Sequence, residues 1–151
     1  MSTDRIAREI TINAPVERVW ALITEPEHVG TWFGDAGADI DLRPGGAIEF
    51  RWKQHGDSLG TVVAVEPPRR FAYRWVSLTS SRGQAPNDTN STLVEFTLEP
   101  LDAGTRVRVV ESGFDALDCT AEERADALAG NTRGWRAELG ELVDYADRVA
   151  A

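Results

Sequence analysis

The residue with the sharpest chemical potential in this chain is Glu111. It follows Val107 and Val109 at two-residue spacing, so all three fall on one face of a strand. The valines belong on the inner, apolar side. A carboxylate carried there loses its hydration and becomes an acid, a base or an anchor for a ligand. In the plainer arrangement the strand ends or bulges here, and Glu111 reaches solvent or pairs with an arginine. We expect the plainer arrangement, because structural ion pairs also explain such residues. Tyr73 is the second polar candidate. Its hydroxyl is available to a ligand, although a tyrosine so placed more often satisfies a backbone group or a buried water.

Large rings surround these two groups. Ile48, Phe50 and Trp52 alternate with Glu49, Arg51 and Lys53, and Phe71, Tyr73 and Trp75 alternate with Ala72, Arg74 and Val76. Period two puts the five rings on the inner side of a half-buried sheet. Trp135 offers another ring from a helix, one turn before Leu139. Rings of this size facing one helix either fill a core or line a hollow. The expected wall of that hollow is Trp32, Phe33, Phe50, Trp52, Val63, Phe71, Tyr73, Trp75, Phe96, Val109, Glu111, Trp135 and Leu139. Trp32 and Phe33 either gate its mouth or plug the core. Trp135 suits core filling better than a ligand platform.

Other chemistries find little support. His28, His55 and Cys119 stand far apart in sequence, and no Cys/His/carboxylate spacing suits a metal ion. His55 falls in a turn, where solvent surrounds it. Cys119 precedes a helix start, where a thiol pKa can fall, but a passive connector thiol explains it as well. No glycine-rich phosphate loop follows a strand, and no serine sits on a nucleophile elbow. We therefore assign no catalytic residue, no metal and no cofactor.

The elements that must position these residues follow from periodicity and punctuation. Arg5 to Asn13 reads as a strand, Val16 to Ile23 as a short helix, and Pro26 to Trp32 as a second one ending at Gly34. Strands follow at 38–42, 47–53, 59–66, 70–77, 92–99 and 105–112, with turns at Pro44-Gly45-Gly46, His55-Gly56-Asp57, Pro67-Pro68 and Asp102-Ala103-Gly104. Residues 79–90 read as a long polar hairpin loop. Thr120 and Glu123 have capping-box spacing at the start of a long helix. Its stripe is Leu128, Trp135, Leu139, Leu142, Ala146 and Val149. Gly130 and Gly134 weaken it by about 1 kcal/mol each relative to alanine and point to a kink. Strands joined by short turns imply an antiparallel sheet with one face on the long helix. Mixed charge on the other face (Glu49, Arg51, Lys53, Arg74, Glu95, Arg106 and Arg108) favours cross-strand pairs.

The whole chain sets outer bounds. Its 151 residues suit one domain spanning 1–151. No apolar run approaches the ~20 residues of a membrane span. A net charge of −9 with scattered basic residues argues against nucleic acid and anionic lipid as partners. A single cysteine cannot form an internal disulfide, and the charged N-terminus lacks the apolar core of an export signal, so the cytoplasm is expected.

The order of motifs resembles a known superfamily. Ile12-Asn13-Ala14-Pro15-Val16-Glu17-Arg18-Val19-Trp20 is similar to the opening of START-like (SRPBCC, or Bet v-type) proteins. Trp32-Phe33-Gly34, Pro44-Gly45-Gly46 and Glu66-Pro67-Pro68-Arg69-Arg70-Phe71 with Trp75 narrow the resemblance. So do Gly104-Thr105-Arg106-Val107, Glu111-Ser112-Gly113-Phe114 and Gly134-Trp135. Together they resemble the AHSA-type branch, named for the activator of the HSP-90 ATPase, over about residues 6–146. The resemblance implies an α+β helix-grip fold: a curved seven-stranded antiparallel sheet around a long C-terminal helix, with two short helices between strands 1 and 2. It implies a cavity between sheet and helix that binds a small hydrophobic or amphipathic molecule. Alternatives are a chaperone-associated interaction module and a polyketide cyclase- or dehydratase-like enzyme using Glu111 and Tyr73. A monomer or weak homodimer is expected. A closed, dry void of ~300 Å³ costs about 7 kcal/mol, so the pocket is expected to be small, wet, ligand-filled or partly plugged by the tryptophans.

Overall fold

The computed structural model describes residues 5–53, 56–78, 81 and 83–150. Alternating side chains shape its single sheet. The strands are β1 (Arg5–Ile12), β2 (Ala38–Ile40), β3 (Ala47–Trp52), β4 (Gly56–Glu66), β5 (Arg70–Val76), β6 (Ser91–Leu101) and β7 (Gly104–Ser112). Their order across the sheet is β1-β7-β6-β5-β4-β3-β2, and every pairing is antiparallel. Helices α1 (Val16–Thr24) and α2 (Pro26–Trp32) fill the crossover from β1 to the far edge. Helix α3 (Ala121–Ala150) lies against the inner face. This is the α+β helix-grip architecture that the sequence implies.

Several element ends differ from expectation: β2 stops at Ile40 and β6 runs from Ser91 to Leu101. β4 starts at Gly56, so Gly56 and Asp57 belong to the strand; His55 lies outside the described residues. The expected polar loop, 79–90, also falls partly outside them. Its described end is organised by Asn87, whose Oδ1 accepts the backbone N–H groups of Thr89 and Asn90.

Helix α3 starts as its sequence dictates. Thr120 Oγ1 accepts the Glu123 N–H at 3.0 Å, and Glu123 Oε1 accepts the Thr120 N–H at 3.2 Å. Arg124 donates to the carbonyls of Phe114 and Leu117, tying this end to the β7–α3 connector. The helix then runs unbroken through Gly130 and Gly134. Its second half carries the buried stripe Trp135, Leu139, Leu142, Tyr145 and Ala146. Residues 121–134 bury nothing fully. The helix therefore grips the sheet at one end and stands away from it at the other.

The core sits beneath the gripping half. Phe50, Phe71, Tyr73, Val94, Phe96, Val107 and Val109 are all at most 3% exposed, with Leu22, Ile23 and Trp32 closing one side. Neighbouring rings meet at centroid distances such as 5.4 Å for Phe50–Tyr73 and 5.5 Å for Phe71–Tyr73, which is close packing. On the solvent face, Arg51 pairs with Asp39 and Glu49, Arg70 with Glu66 and Glu95, and Arg106 with Glu9 and Glu99.

Candidate functional site

A cleft of about 750 Å³ opens where α3 stands away from the sheet. Three structural pieces build it. The ends of β3, β4 and β5 supply Trp52, Asp57 to Leu59 and Trp75 to Leu78. The segment after α2 supplies Phe33 and Asp35. The part of α3 from Glu123 to Glu138 supplies Glu123, Asp126, Ala127, Gly130, Asn131, Arg133, Gly134, Trp135 and Glu138.

The glycines explain why the cleft exists. Gly130 and Gly134 lie one helical turn apart on the face that also carries Ala127 and Glu138. A Cβ at Gly134 would meet nothing within 4 Å, and one at Gly130 only the Arg133 guanidinium at 3.9 Å. The volume their side chains would fill is part of the cleft.

Aromatic rings form the apolar wall. Phe33 stacks on Trp75 at 5.6 Å and on Trp135 at 5.5 Å, and meets Trp52 edge-on at 5.2 Å. The Trp52 indole N–H donates to the Phe33 carbonyl at 2.7 Å, which fixes both residues. Gly60 stands opposite Trp75 in the β4–β5 ladder, and a Cβ there would sit 2.5 Å from the Arg74 carbonyl.

Glu111 lies directly behind this wall. It is fully buried. Its Oε2 accepts from the Trp75 indole at 2.9 Å, the Thr92 hydroxyl at 2.5 Å and the Asn131 amide at 2.9 Å. Its Oε1 accepts from the Trp135 indole at 2.8 Å. Four donors on two oxygens match an ionised carboxylate, which accepts only. The expected route to solvent or to an arginine is wrong. The strand keeps its alternation through residue 111, which pairs with Ile6 on β1 and Val94 on β6 and points inward.

Two more groups complete the polar setting. Ser77 lines the cleft, and its hydroxyl meets that of Thr92 at 2.6 Å. Glu138 lines the cleft from α3, and its Oε2 is shielded from solvent with no hydrogen-bond partner among the described residues. Desolvation, then the nearby charges of Glu141 and Asp35, push its pKa up to about 8. Tyr73 is buried, and that burial, with the charges of Glu111 and Glu138, holds its phenol protonated well above the usual range.

The hollow is thus smaller in its wall and shifted in place relative to expectation. Phe33, Trp52, Trp75 and Trp135 line it. Trp32, Phe50, Phe71, Tyr73, Phe96, Val109 and Leu139 do not; they are buried in the core. Trp32 plugs the core, donating its indole N–H to the Leu22 carbonyl at 2.7 Å. Val63 faces outward at 42% exposure, because a β-bulge between Val62 and Ala64 interrupts the register. Glu111 and Tyr73 stand behind the wall, so neither is presented to a molecule in the cleft as an acid or base. Glu138 is the residue the sequence reading missed. Its signal was its place in the Ala127, Gly130, Gly134 row at three- and four-residue spacing.

No group of three or more metal-ligating side chains gathers among the described residues, and no helix there is long and apolar enough to cross a membrane. His28 hydrogen-bonds the Tyr145 hydroxyl through Nδ1 at 2.7 Å, and Cys119 is half-buried.

Comparison with known proteins places the chain. The sequence pattern of the family "Activator of Hsp90 ATPase homolog 1-like protein" matches residues 13–147. The chain belongs to this family. A fission-yeast relative, the uncharacterised protein C1711.08 of Schizosaccharomyces pombe, is 25% identical over 113 residues, or 75% of this chain. The chain spans 31% of that relative's length. Among solved structures, protein MLL2253 from Mesorhizobium loti superposes with a TM-score of 0.77 at 24% identity, covering 95% of this chain and 97% of the other. The Aha1 dimer from Colwellia psychrerythraea gives 0.70 at 22% identity, covering 93% of each chain. These likenesses show the fold alone. In this member of the family, the helix-grip fold leaves its opening at the glycine-bearing half of α3.

Proposed function

We propose that this chain binds a small hydrophobic or amphipathic molecule in the cleft between the sheet and the first half of α3. The supporting observation is the glycine-floored, aromatic-walled space itself. At about 750 Å³ it falls within the range of ligand pockets, and its wall of Phe33, Trp52, Trp75 and Trp135 offers flat apolar area beside polar groups. The cleft opens to solvent, so it carries water when empty and avoids the cost of a closed dry void. A cytoplasmic setting fits the single free cysteine.

A chaperone or other protein partner has less support. Leu42 and Val63 are the large hydrophobics exposed among the described residues, at 39% and 42%. Stable obligate interfaces bury about 2,000 Å² or more and are apolar.

The test uses N-phenyl-1-naphthylamine, a neutral probe that brightens in apolar surroundings. Its fluorescence should rise with the native protein and stay low with Gly134→Leu, whose side chain occupies the cleft. Native mass spectrometry of detergent-free protein should retain a small-molecule adduct. A silent probe together with bare protein mass would remove this function.

A further inference from the structure

We propose that the cleft selects a cation: a molecule with a flat apolar body and an ammonium group, the ring lying against the indoles and the ammonium against Glu138. This rests on the binding function above and names the chemical class of the ligand.

The hydrogen-bond polarity of the wall points this way. Glu111 accepts from every neighbour and thereby orients the wall's other polar groups. Thr92 has one proton and gives it to Glu111. Ser77 must then donate to Thr92, which leaves the Ser77 oxygen with lone pairs only for the cleft. Asn131 donates its Nδ2 to Glu111, because a carboxylate cannot serve the amide oxygen as a donor. Its Oδ1 and its second N–H are left for other partners. Both indole N–H groups of Trp75 and Trp135 are likewise committed to Glu111. The wall therefore shows a ligand acceptors and ring surfaces, while both indole donors are withdrawn behind it; the second Asn131 N–H and Arg133 remain as donors.

Charge agrees with this polarity. Among the described residues, the lining holds Asp35, Asp57, Glu123, Asp126 and Glu138 against one cation, Arg133. Indoles are the best ring partners of cations, and three lie here with Phe33 between two of them. Glu138 adds the specific contact. Its carboxyl lines the cleft, and its solvent-shielded Oε2 has no hydrogen-bond partner among the described residues, so no hydrogen bond from them stabilises charge on that oxygen when the group ionises.

The same geometry makes uptake of a cation proton-linked. Glu138 faces Glu141 on its own helix and Asp35 from the segment after α2. Asp57 of β4 and Glu123, Asp126 and Arg133 of α3 are the other charged groups of the lining among the described residues. With its pKa raised to about 8, the Glu138 carboxyl holds its proton at neutral pH in the empty cleft. An arriving cation drives that proton off. Affinity for a permanent cation should rise with pH and level off above about 8.

Three matched probes test this by calorimetric titration: (2-naphthylmethyl)trimethylammonium, 2-naphthylmethanol and 2-naphthoate. The quaternary ammonium cannot titrate, so any pH dependence belongs to the protein. At about pH 9 the cation should bind about tenfold tighter than the alcohol, with the naphthoate weakest. That advantage should shrink toward pH 6. Glu138→Gln should abolish the pH dependence, with native-like near-ultraviolet dichroism and a cooperative thermal melt reporting that the variant is folded. Equal or tighter binding of the alcohol or the naphthoate would overturn the cation selectivity, as would an undiminished pH-dependent preference in Glu138→Gln. If none of the three binds the native protein, the cleft is not a small-molecule site, and the inference falls with the proposed function.

Discussion

The Trp135 indole donates to Glu111 Oε1 at 2.8 Å, and this bond joins α3 to β7 directly behind the cleft. Trp75 donates to the other oxygen of the same carboxylate at 2.9 Å. One buried group therefore sets the planes of two wall indoles carried by different elements. It also aligns Thr92 and Asn131, and through Thr92 it aligns Ser77.

Glu111→Gln should destabilise the fold. The new amide presents two donors to a site built of donors, and buried groups left without partners cost about 1–3 kcal/mol each. We expect a loss of about 2–4 kcal/mol in urea unfolding, with altered near-ultraviolet dichroism from the freed indoles. A change below about 0.5 kcal/mol would mean the four bonds do not organise the wall.

The α3 glycines should act in opposite directions on stability and binding. Gly130→Ala and Gly134→Ala should each stabilise by about 0.5–1 kcal/mol, because both positions have open space and a helical backbone. Gly134→Leu should retain the fold and lose probe binding. Thermal melts and probe titrations on the same samples measure both. Destabilisation by the alanines would show that those positions are constrained by more than the helix.

Glu138 should make stability pH-dependent in a defined window. Its folded pKa of about 8 lies above its ordinary value of 4.5, so between these the folded state holds more protons than the unfolded one. Stability therefore falls as pH rises through the window. The difference between native protein and Glu138→Gln isolates this from the general effect of net charge. The variant should gain on the native protein as pH rises from about 5 to 9, and a constant difference would place Glu138 in an ordinary environment.

Thr120→Ala removes the reciprocal cap at the start of α3. It should cost about 1 kcal/mol in unfolding. Glu123 of the cap lines the cleft, but the aromatic wall and the row of Ala127, Gly130 and Gly134 lie further along α3, so probe affinity should hold. Lost affinity at unchanged stability would show that fraying of this end closes the site.

Much of the fold was legible because its signals are local. Alternation in β3, β5 and β7 placed Phe50, Tyr73 and Val109 inward, and Thr120 with Glu123 marked the start of α3. The site was harder to read. Period two assigns a face but cannot say whether α3 touches it, so Phe71 and Phe96 in solid core looked the same as Trp75 at the opening. Val63 failed because a one-residue bulge reverses alternation without a mark in sequence. Glu111 was misjudged because its four donors come from β5, β6 and α3, all distant in the chain. Glu138 and the glycines looked like a weakened helix, because a missing side chain shows its purpose only when the space beside it is seen.

The most direct measurement follows the indole N–H resonances of nitrogen-labelled protein during titration with (2-naphthylmethyl)trimethylammonium and 2-naphthylmethanol. Trp52, Trp75 and Trp135 line the cleft, whereas Trp20 and Trp32 pack elsewhere in or against the core. The expected result is saturable movement of the first three signals with the last two nearly still. Five unmoved signals at saturating probe, or movement confined to Trp20 and Trp32, would contradict a ligand site at this cleft.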